Sequence, residues 1–196
     1  MMDENDGLSV IGSQQKGGRN LGRENTRGLL ICYTGNGKGK TSAALGTLMR
    51  AHGRGLKVAM LQFIKRKNSK FGEHITAEEL GVEITPLGDG FSWCSEDLEK
   101  DRLFALECWE TCKDKILNGD YDMIILDEIT YPITFGWLDA GDVLGIIQKR
   151  PKWMHVIITG RDANEQLIQA SDTVTEMLEI KHHYKSGIKQ QLGIER

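Results

Sequence analysis

A glycine-rich stretch that ends in a lysine and a threonine is the part of the sequence best suited to chemistry. It runs from Thr34 to Thr41 and reads TGNGKGKT. Glycines let consecutive backbone N–H groups turn towards phosphate oxygens, and a helix that begins at the end of the loop adds a partial positive charge. The Lys40 ammonium would contact the phosphates, and the Thr41 hydroxyl would bind Mg²⁺. We therefore predict a phosphate-binding loop of the P-loop type.

This loop departs from the general pattern at one position. The pattern is Gly, four residues, Gly-Lys and then Ser or Thr, and Thr34 occupies the place of the first glycine. A glycine-rich turn that merely joins a strand to a helix is the alternative. The order of apolar run, loop, Gly-Lys-Thr and helical pattern favours the phosphate site. The predicted nucleotide-binding residues are Gly35, Asn36, Gly37, Lys38, Gly39, Lys40 and Thr41.

Two acidic residues follow a strongly apolar segment further along the chain. The segment Tyr121–Glu128 reads YDMIILDE, and four consecutive apolar residues are typical of a strand buried on both faces of a parallel sheet. Ligands bind at the carboxyl ends of such strands, where Asp127 and Glu128 are placed. Carboxylates there hold Mg²⁺ or orient a nucleophile. A strand that simply ends in polar residues is the alternative, but the upstream Gly-Lys-Thr makes a nucleotide site the better interpretation.

Apolar runs alternate with helical patterns along most of the chain. Strands are predicted at Leu29–Tyr33, Lys57–Phe63, Val82–Thr85, Tyr121–Glu128 and His155–Gly160, with an edge strand at Thr173–Lys181. Helices are predicted over 41–52, 77–80, 95–118, 129–137, 143–149 and 164–170. Pro86 is expected to help end the third strand. The predicted fold class is α/β, a P-loop NTPase-like three-layer fold with a mostly parallel central sheet of about six strands.

Length and composition limit the class of protein. The chain has 196 residues, which fits one domain, and a net charge of −3 with mixed signs, which argues against a nucleic-acid binder. No apolar run approaches a membrane span, and no signal-peptide pattern begins the chain. The four cysteines follow no zinc or redox spacing and are expected to be buried thiols. We predict a cytoplasmic protein with neither nucleic acid nor membrane as a partner.

The N-terminal residues differ in composition from the rest. Residues 1–28 are rich in glycine and polar side chains and show no periodicity, whereas residues 29–196 carry the strand and helix patterns. We therefore divide the chain into a flexible N-terminal arm, 1–28, and a P-loop α/β domain, 29–196. The arm either orders when a ligand or partner binds or is plain terminal disorder.

Several short stretches together carry a resemblance to a known family. They are Thr34–Thr41 (TGNGKGKT), Gln62–Lys65 (QFIK), Gly90–Trp93 (GFSW), Leu126–Tyr131 (LDEITY), Val156–Arg161 (VIITGR), Ala170–Glu176 (ASDTVTE) and Gln191–Ile194 (QLGI). On these residues the sequence resembles the ATP:corrinoid adenosyltransferases of the CobA/BtuR type, from about residue 29 to the C-terminus.

The resemblance implies an activity and a set of roles. Members of that family transfer the 5′-deoxyadenosyl group of ATP to Co(I) of a corrinoid, such as cobalamin or cob(I)yrinic acid a,c-diamide. They release triphosphate and act in the biosynthesis or salvage of cobalamin, which is classed with porphyrin biosynthesis. The family keeps Thr at the place of Thr34 and binds ATP in a reversed direction, so that C5′ faces the corrinoid. Implied metal ligands for Mg²⁺, with Mn²⁺ as a possible substitute, are Thr41 and Glu128, and Asp127 would support them.

The resemblance also implies catalytic residues and partners. Lys40 would neutralise the leaving triphosphate. Phe91 and Trp93 would occupy the lower face of the corrin and displace its axial ligand, which makes Co(II) easier to reduce; ordinary core aromatics are the alternative for both. A flavodoxin-like reductase as electron donor and a homodimer are expected from the family.

Two other functions use the same loop and acids. A P-loop ATPase or kinase would release phosphate or ADP, and a non-catalytic ATP-binding regulator would release neither. The ATP-derived product distinguishes these three hypotheses.

Overall fold

The central element of the structure is a parallel β-sheet. The computed structural model describes Arg23, residues 26–88 and residues 98–195. In these residues six strands form one sheet: β1 (Leu30–Thr34), β2 (Val58–Arg66), β3 (Glu83–Gly88), β4 (Met123–Asp127), β5 (His155–Thr159) and β6 (Thr173–Glu176). Their order is β3-β2-β4-β5-β1-β6, and every neighbouring pair is parallel. The predicted α/β class is confirmed, with a described sheet that is wholly parallel.

Helices connect the strands. They are α1 (Lys40–Gly53), α2 (Gly72–Leu80), α3 (Leu98–Asn118), α4 (Thr130–Thr134), α5 (Ala140–Gln148) and α6 (Glu165–Ala170), followed by a 3-10 turn at His183–Ser186. Among the helices of the described ranges, none combines the length and apolarity that crossing a membrane requires. The sequence predicted only the second half of α2, which in fact begins at Gly72. The strand before it, β2, also continues beyond its predicted end at Phe63, to Arg66.

Side chains of the central strands alternate between two apolar layers. On one face, alternate strand residues pack against α1 through Ala44, Leu48, Met60, Ile125 and Ile157. On the other face, the intervening residues pack against α3 and α5 through Leu61, Leu126, Ile158, Cys112, Ile116, Val143 and Ile147. A run such as MIIL is therefore apolar throughout, because consecutive strand residues point to opposite faces and both are covered. Cys32, Cys108 and Cys112 are buried free thiols, as predicted, and Cys94 lies outside the described residues.

The two edge strands differ from their predictions in extent. Pro86 lies inside β3 rather than at its end, so the prediction that it ends the strand was wrong. β3 is an edge strand, and a missing N–H is tolerated where one side of a strand makes no ladder hydrogen bonds. β6 forms the opposite edge, as predicted for Thr173–Lys181, but the strand stops at Glu176.

The chain enters the sheet on the side where the amino ends of the strands lie. Arg23 pairs with Asp122 at 2.6 Å and with Asp120 at 2.8 Å, and the Gly28 N–H donates to the Lys152 carbonyl at 2.7 Å. These bonds join the last part of the predicted arm to the amino ends of the strands. Residues 1–22, 24 and 25 lie outside the described residues, so the division of the chain into arm and domain stays a prediction.

Candidate functional site

The predicted phosphate-binding loop joins β1 to α1 on the side of the sheet where the strands have their carboxyl ends. Gly39 immediately precedes α1 and has a φ of 118°, in the region that favours glycine. Gly37 lies so close to the segment after β6 that a Cβ there would be 2.6 Å from the Leu178 carbonyl oxygen. Its N–H donates to the Met177 carbonyl at 2.6 Å. These two positions need glycine for the turn of the loop and for its contact with the chain beyond β6.

Thr34, the residue that breaks the general pattern, has a structural role at the start of the loop. Its side chain is buried, and its Oγ1 accepts a hydrogen bond from the Ala163 N–H at 3.2 Å. Its carbonyl accepts the Met177 N–H at 2.8 Å. The threonine hydroxyl therefore connects the loop to the segment that follows β5, which a glycine could not do. The bond to Met177, after β6, uses the backbone alone.

The Lys40 ammonium is held inside the loop. The side chain is only 7% exposed, and Nζ donates to the carbonyls of Gly35 at 2.8 Å and Gly37 at 2.9 Å. Burial lowers the pKa of Lys40, while the nearby Glu128 carboxylate opposes that shift. An ammonium has three donors, so two carbonyl contacts leave one for another acceptor.

Asp127 is engaged entirely by neighbouring side chains. It is 1% exposed and accepts hydrogen bonds from the Thr41 hydroxyl at 2.9 Å, the Thr159 hydroxyl at 2.8 Å and the Gln62 amide at 3.1 Å. Because the Thr41 proton points to Asp127, the lone pairs of the Thr41 oxygen are available to a cation. Asp127 therefore orients Thr41 rather than contacting a ligand itself.

Glu128 differs from its neighbour in having an unsatisfied oxygen. Its φ of 64° lies in the left-handed region, and its N–H donates to Thr159 Oγ1 at 2.9 Å. Within the described part of the chain, its Oε2 is buried and has no hydrogen-bond partner. Burial, and next the Asp127 carboxylate, raise the pKa of Glu128 to about 7. A buried carboxylate oxygen without a partner is costly, and a bound cation would satisfy it.

A cavity of about 820 Å³ lies over the loop, which is a size typical of small-molecule sites. Asn36, Lys38, Thr41, Glu128 and Arg161 are among the residues that line it. All the predicted nucleotide and metal residues except Gly35 border this one space, and Gly35 contributes its carbonyl to Lys40. Phe91 and Trp93 lie outside the described residues.

The C-terminal tail forms part of the wall of this cavity. Glu195 pairs with Lys38 at 2.9 Å, its Oε1 lies 2.9 Å from His183 Nε2, and all three residues border the cavity. One residue of the phosphate loop is thereby linked to the end of the chain. Nothing in the spacing of the sequence identified this contact between Lys38 and Glu195.

Thr41 and Glu128 supply a hydroxyl and a carboxylate oxygen on the same cavity. Mg²⁺ bound with a nucleotide uses one or two protein oxygens, and phosphates and water supply the rest. The available Thr41 lone pairs and the Glu128 oxygen, which no residue of the described ranges contacts by a hydrogen bond, fit such an ion.

Comparison with known proteins identifies the family. Residues 26–196 match the model of the family described as ATP:corrinoid adenosyltransferase BtuR/CobO/CobP. The chain belongs to this family. The resemblance inferred from the short motifs is thus confirmed, and the protein is an enzyme of the transferase class.

Curated relatives agree with this assignment. The chain is 39% identical over 172 residues to the corrinoid adenosyltransferase of Escherichia coli K12, covering 88% of this chain and 87% of the relative. It is 40% identical over 171 residues to that of Pseudomonas aeruginosa, covering 86% and 84%. It is 38% identical over 169 residues to corrinoid adenosyltransferase CobA of Salmonella typhimurium, covering 86% of each.

Sequence reasoning gave no role to several residues at the site. Arg161 and Tyr131 border the cavity. Gln62 lies opposite Asp127 in the β2–β4 register, and the sequence patterns predicted no strand order from which this pairing could be found. His74 lies in α2, and nothing in the neighbouring sequence indicated its contact with Gln62.

Proposed function

We propose that this protein transfers the 5′-deoxyadenosyl group of ATP to Co(I) of a corrinoid and releases triphosphate. Membership of the ATP:corrinoid adenosyltransferase family carries the proposal. The loop with its buried Lys40 and the Glu128 oxygen that has no hydrogen-bond partner in the described part of the chain support it, because both lie at one cavity.

The reaction balances without a general base. The electron pair of Co(I) forms the Co–C5′ bond, and the C5′–O bond breaks with its electrons going to triphosphate. Cobalt ends as Co(III), and no proton moves. The task of the protein is to position the reactants and neutralise the leaving group.

Residues Gly35 to Thr41 would hold the triphosphate. An entering phosphate oxygen would use the remaining donor of Lys40 or replace one of its bonds to the Gly35 and Gly37 carbonyls. Thr41 and Glu128 would hold Mg²⁺, or Mn²⁺ in its place, which supplies further neutralisation of the phosphate charge. Asp127 keeps the Thr41 hydroxyl turned for that purpose.

Phe91 and Trp93 belong to the proposal through the resemblance alone, as apolar residues at the lower face of the corrin. We expect Trp93→Ala to reduce the rate about tenfold or more when the assay starts from cob(II)alamin and a protein reductant, because the axial ligand would stay bound. With chemically prepared Co(I), the loss should be mild. The rate of formation of the light-sensitive cobalt–carbon product measures both, and equal losses would contradict the axial-ligand role.

Three further parts of the proposal also come from the resemblance. They are a homodimer, a flavodoxin-like reductase as electron donor and a cytoplasmic location. Sedimentation of the purified chain and reconstitution with flavodoxin and its reductase test the first two.

The function itself is tested by identifying what ATP becomes. The chain is incubated without oxygen with ATP, Mg²⁺ and a reduced corrinoid, and the phosphate products are separated. We expect inorganic triphosphate in an amount equal to the alkylated corrinoid, and only when reduced corrinoid is present. ADP or phosphate as the main product would favour a kinase or ATPase, and unchanged ATP a regulator.

A further inference from the structure

A series of hydrogen bonds, buried at Gln62 and Asp127 and partly buried at its two ends, leads from the phosphate loop to helix α2. Thr41 donates to Asp127, and the Gln62 amide donates to the other Asp127 oxygen at 3.1 Å. The Gln62 carbonyl oxygen then lies 2.7 Å from His74 Nε2. At the far end, the Phe71 N–H donates to His74 Nδ1 at 3.0 Å. The series joins a proposed metal ligand to a histidine that does not border the cavity.

The direction of each hydrogen bond is fixed by the backbone group at the end of the series. A backbone N–H can only donate, so His74 Nδ1 must accept from Phe71 and the ring proton of a neutral imidazole must lie on Nε2. His74 Nε2 therefore donates to the Gln62 carbonyl oxygen. That leaves the Gln62 NH₂ group to face Asp127.

The opposite orientation of the Gln62 amide would be unfavourable at both ends. The amide oxygen would then face the Asp127 carboxylate, and the NH₂ group would face the His74 N–H. Gln62 and Asp127 are each 1% exposed, so water is poorly placed to compensate. Burial, and next the Lys65 ammonium, lower the pKa of His74, and these outweigh the opposing effect of a contact with the Ser69 backbone, so the neutral ring is favoured.

We propose that His74 is a positioning residue for the metal and triphosphate site, acting through Gln62 and Asp127 on the Thr41 hydroxyl. The proposal rests on the proposed function, because it takes Thr41 as a metal ligand. Supporting side chains of this kind affect metal affinity by about tenfold or more when they are changed. Without the His74 donor, the Gln62 amide can turn and Asp127 no longer holds the Thr41 proton in one direction.

Two amide substitutions at His74 separate the bonds it makes. In His74→Asn, the side-chain oxygen can still accept from the Phe71 N–H, but its amide is too short to reach Gln62. In His74→Gln, the amide group reaches about the position of Nε2 and can donate to Gln62. His155→Asn is the matched control, because His155 Nδ1 also accepts a hydrogen bond from a backbone N–H, that of Leu29, at 3.1 Å. His155 lies at the amino end of β5, away from the phosphate loop.

The measurement is calorimetric binding of ATP to the full chain, once with Mg²⁺ and once with a chelator. We expect His74→Asn to reduce the gain in ATP affinity due to Mg²⁺ about tenfold, with metal-free affinity unchanged. His74→Gln should restore most of the gain, and His155→Asn should match the wild type.

Three results would overturn the inference. One is a wild-type Mg²⁺ effect in His74→Asn. Another is an equal loss in both His74 variants accompanied by weaker metal-free binding, which would mean a purely structural role. The third is a wild-type chain whose ATP affinity does not respond to Mg²⁺. Failure of the proposed function is distinguishable, because it is detected by the missing triphosphate and not by binding.

Discussion

Lys40→Ala is expected to reduce triphosphate formation about a thousandfold or more, whether the corrinoid is supplied as Co(II) with a reductant or as Co(I). Lys40 is the buried cation of the loop, and the leaving group carries several negative charges. Its loss would remove neutralisation that is needed whatever the source of the electrons. The initial rate of triphosphate release in the anaerobic assay measures the effect.

The matched control is Lys57→Ala. Lys57 lies just before the amino end of β2, whereas the loop lies at the carboxyl ends of the strands. Its Nζ is 4.8 Å from the centre of the Tyr121 ring. This variant should keep the wild-type rate. If Lys40→Ala retained a tenth of the wild-type rate or more, the role of Lys40 in the leaving-group step would be refuted.

Glu128→Gln is expected to reduce the rate about a hundredfold and to weaken the response of ATP binding to Mg²⁺. The amide keeps the shape of the side chain but loses the charge that a cation requires. Titration of the rate with Mg²⁺ checks this. A variant that reached the wild-type rate at the same Mg²⁺ concentration would exclude Glu128 as a metal ligand.

The same substitution should change how stability depends on pH when no metal is present. The pKa of Glu128 is raised to about 7 in the folded chain, so the folded chain binds this proton more tightly than the unfolded chain does. Wild-type stability should therefore fall as pH rises from the ordinary glutamate pKa towards 7, because the buried carboxylate becomes charged.

Glu128→Gln removes that loss, since the amide does not ionise. In the presence of a chelator, its melting temperature should exceed that of the wild type at about pH 8 and approach it at about pH 5. A difference that grew as the pH was lowered would contradict the assigned pKa.

The parallel sheet and the placement of the nucleotide loop could be predicted because they depend on local patterns. MIILD and HVIIT contain consecutive apolar residues, a pattern typical of strands whose two faces are both covered. Gly-Lys-Thr between a strand and a helix is likewise typical of phosphate-binding loops. The start of α2 was missed because its first residues contain no apolar period, and a hydrogen bond between His74 and the Phe71 backbone joins them to the helix.

The environment of the acids could be predicted only in part. The sequence placed Asp127 and Glu128 at a strand end, but their division of roles depends on neighbours from distant segments. Thr159, which is 32 residues beyond Asp127, donates to Asp127 and accepts the Glu128 N–H. No spacing within one segment encodes such contacts, which arise from strand order.

The position of β1 between β5 and β6 has a consequence for synthesis of the chain. β1 has no neighbouring strand to pair with until β5 and β6 have been synthesised. The loop that follows β1 also makes a hydrogen bond to Met177. A nascent chain emerging from the ribosome therefore carries the Gly-Lys-Thr motif long before it has a nucleotide pocket. The site can bind ATP only after the chain has been made at least as far as Met177, so ATP binding would report that the loop and the segment after β6 have come together.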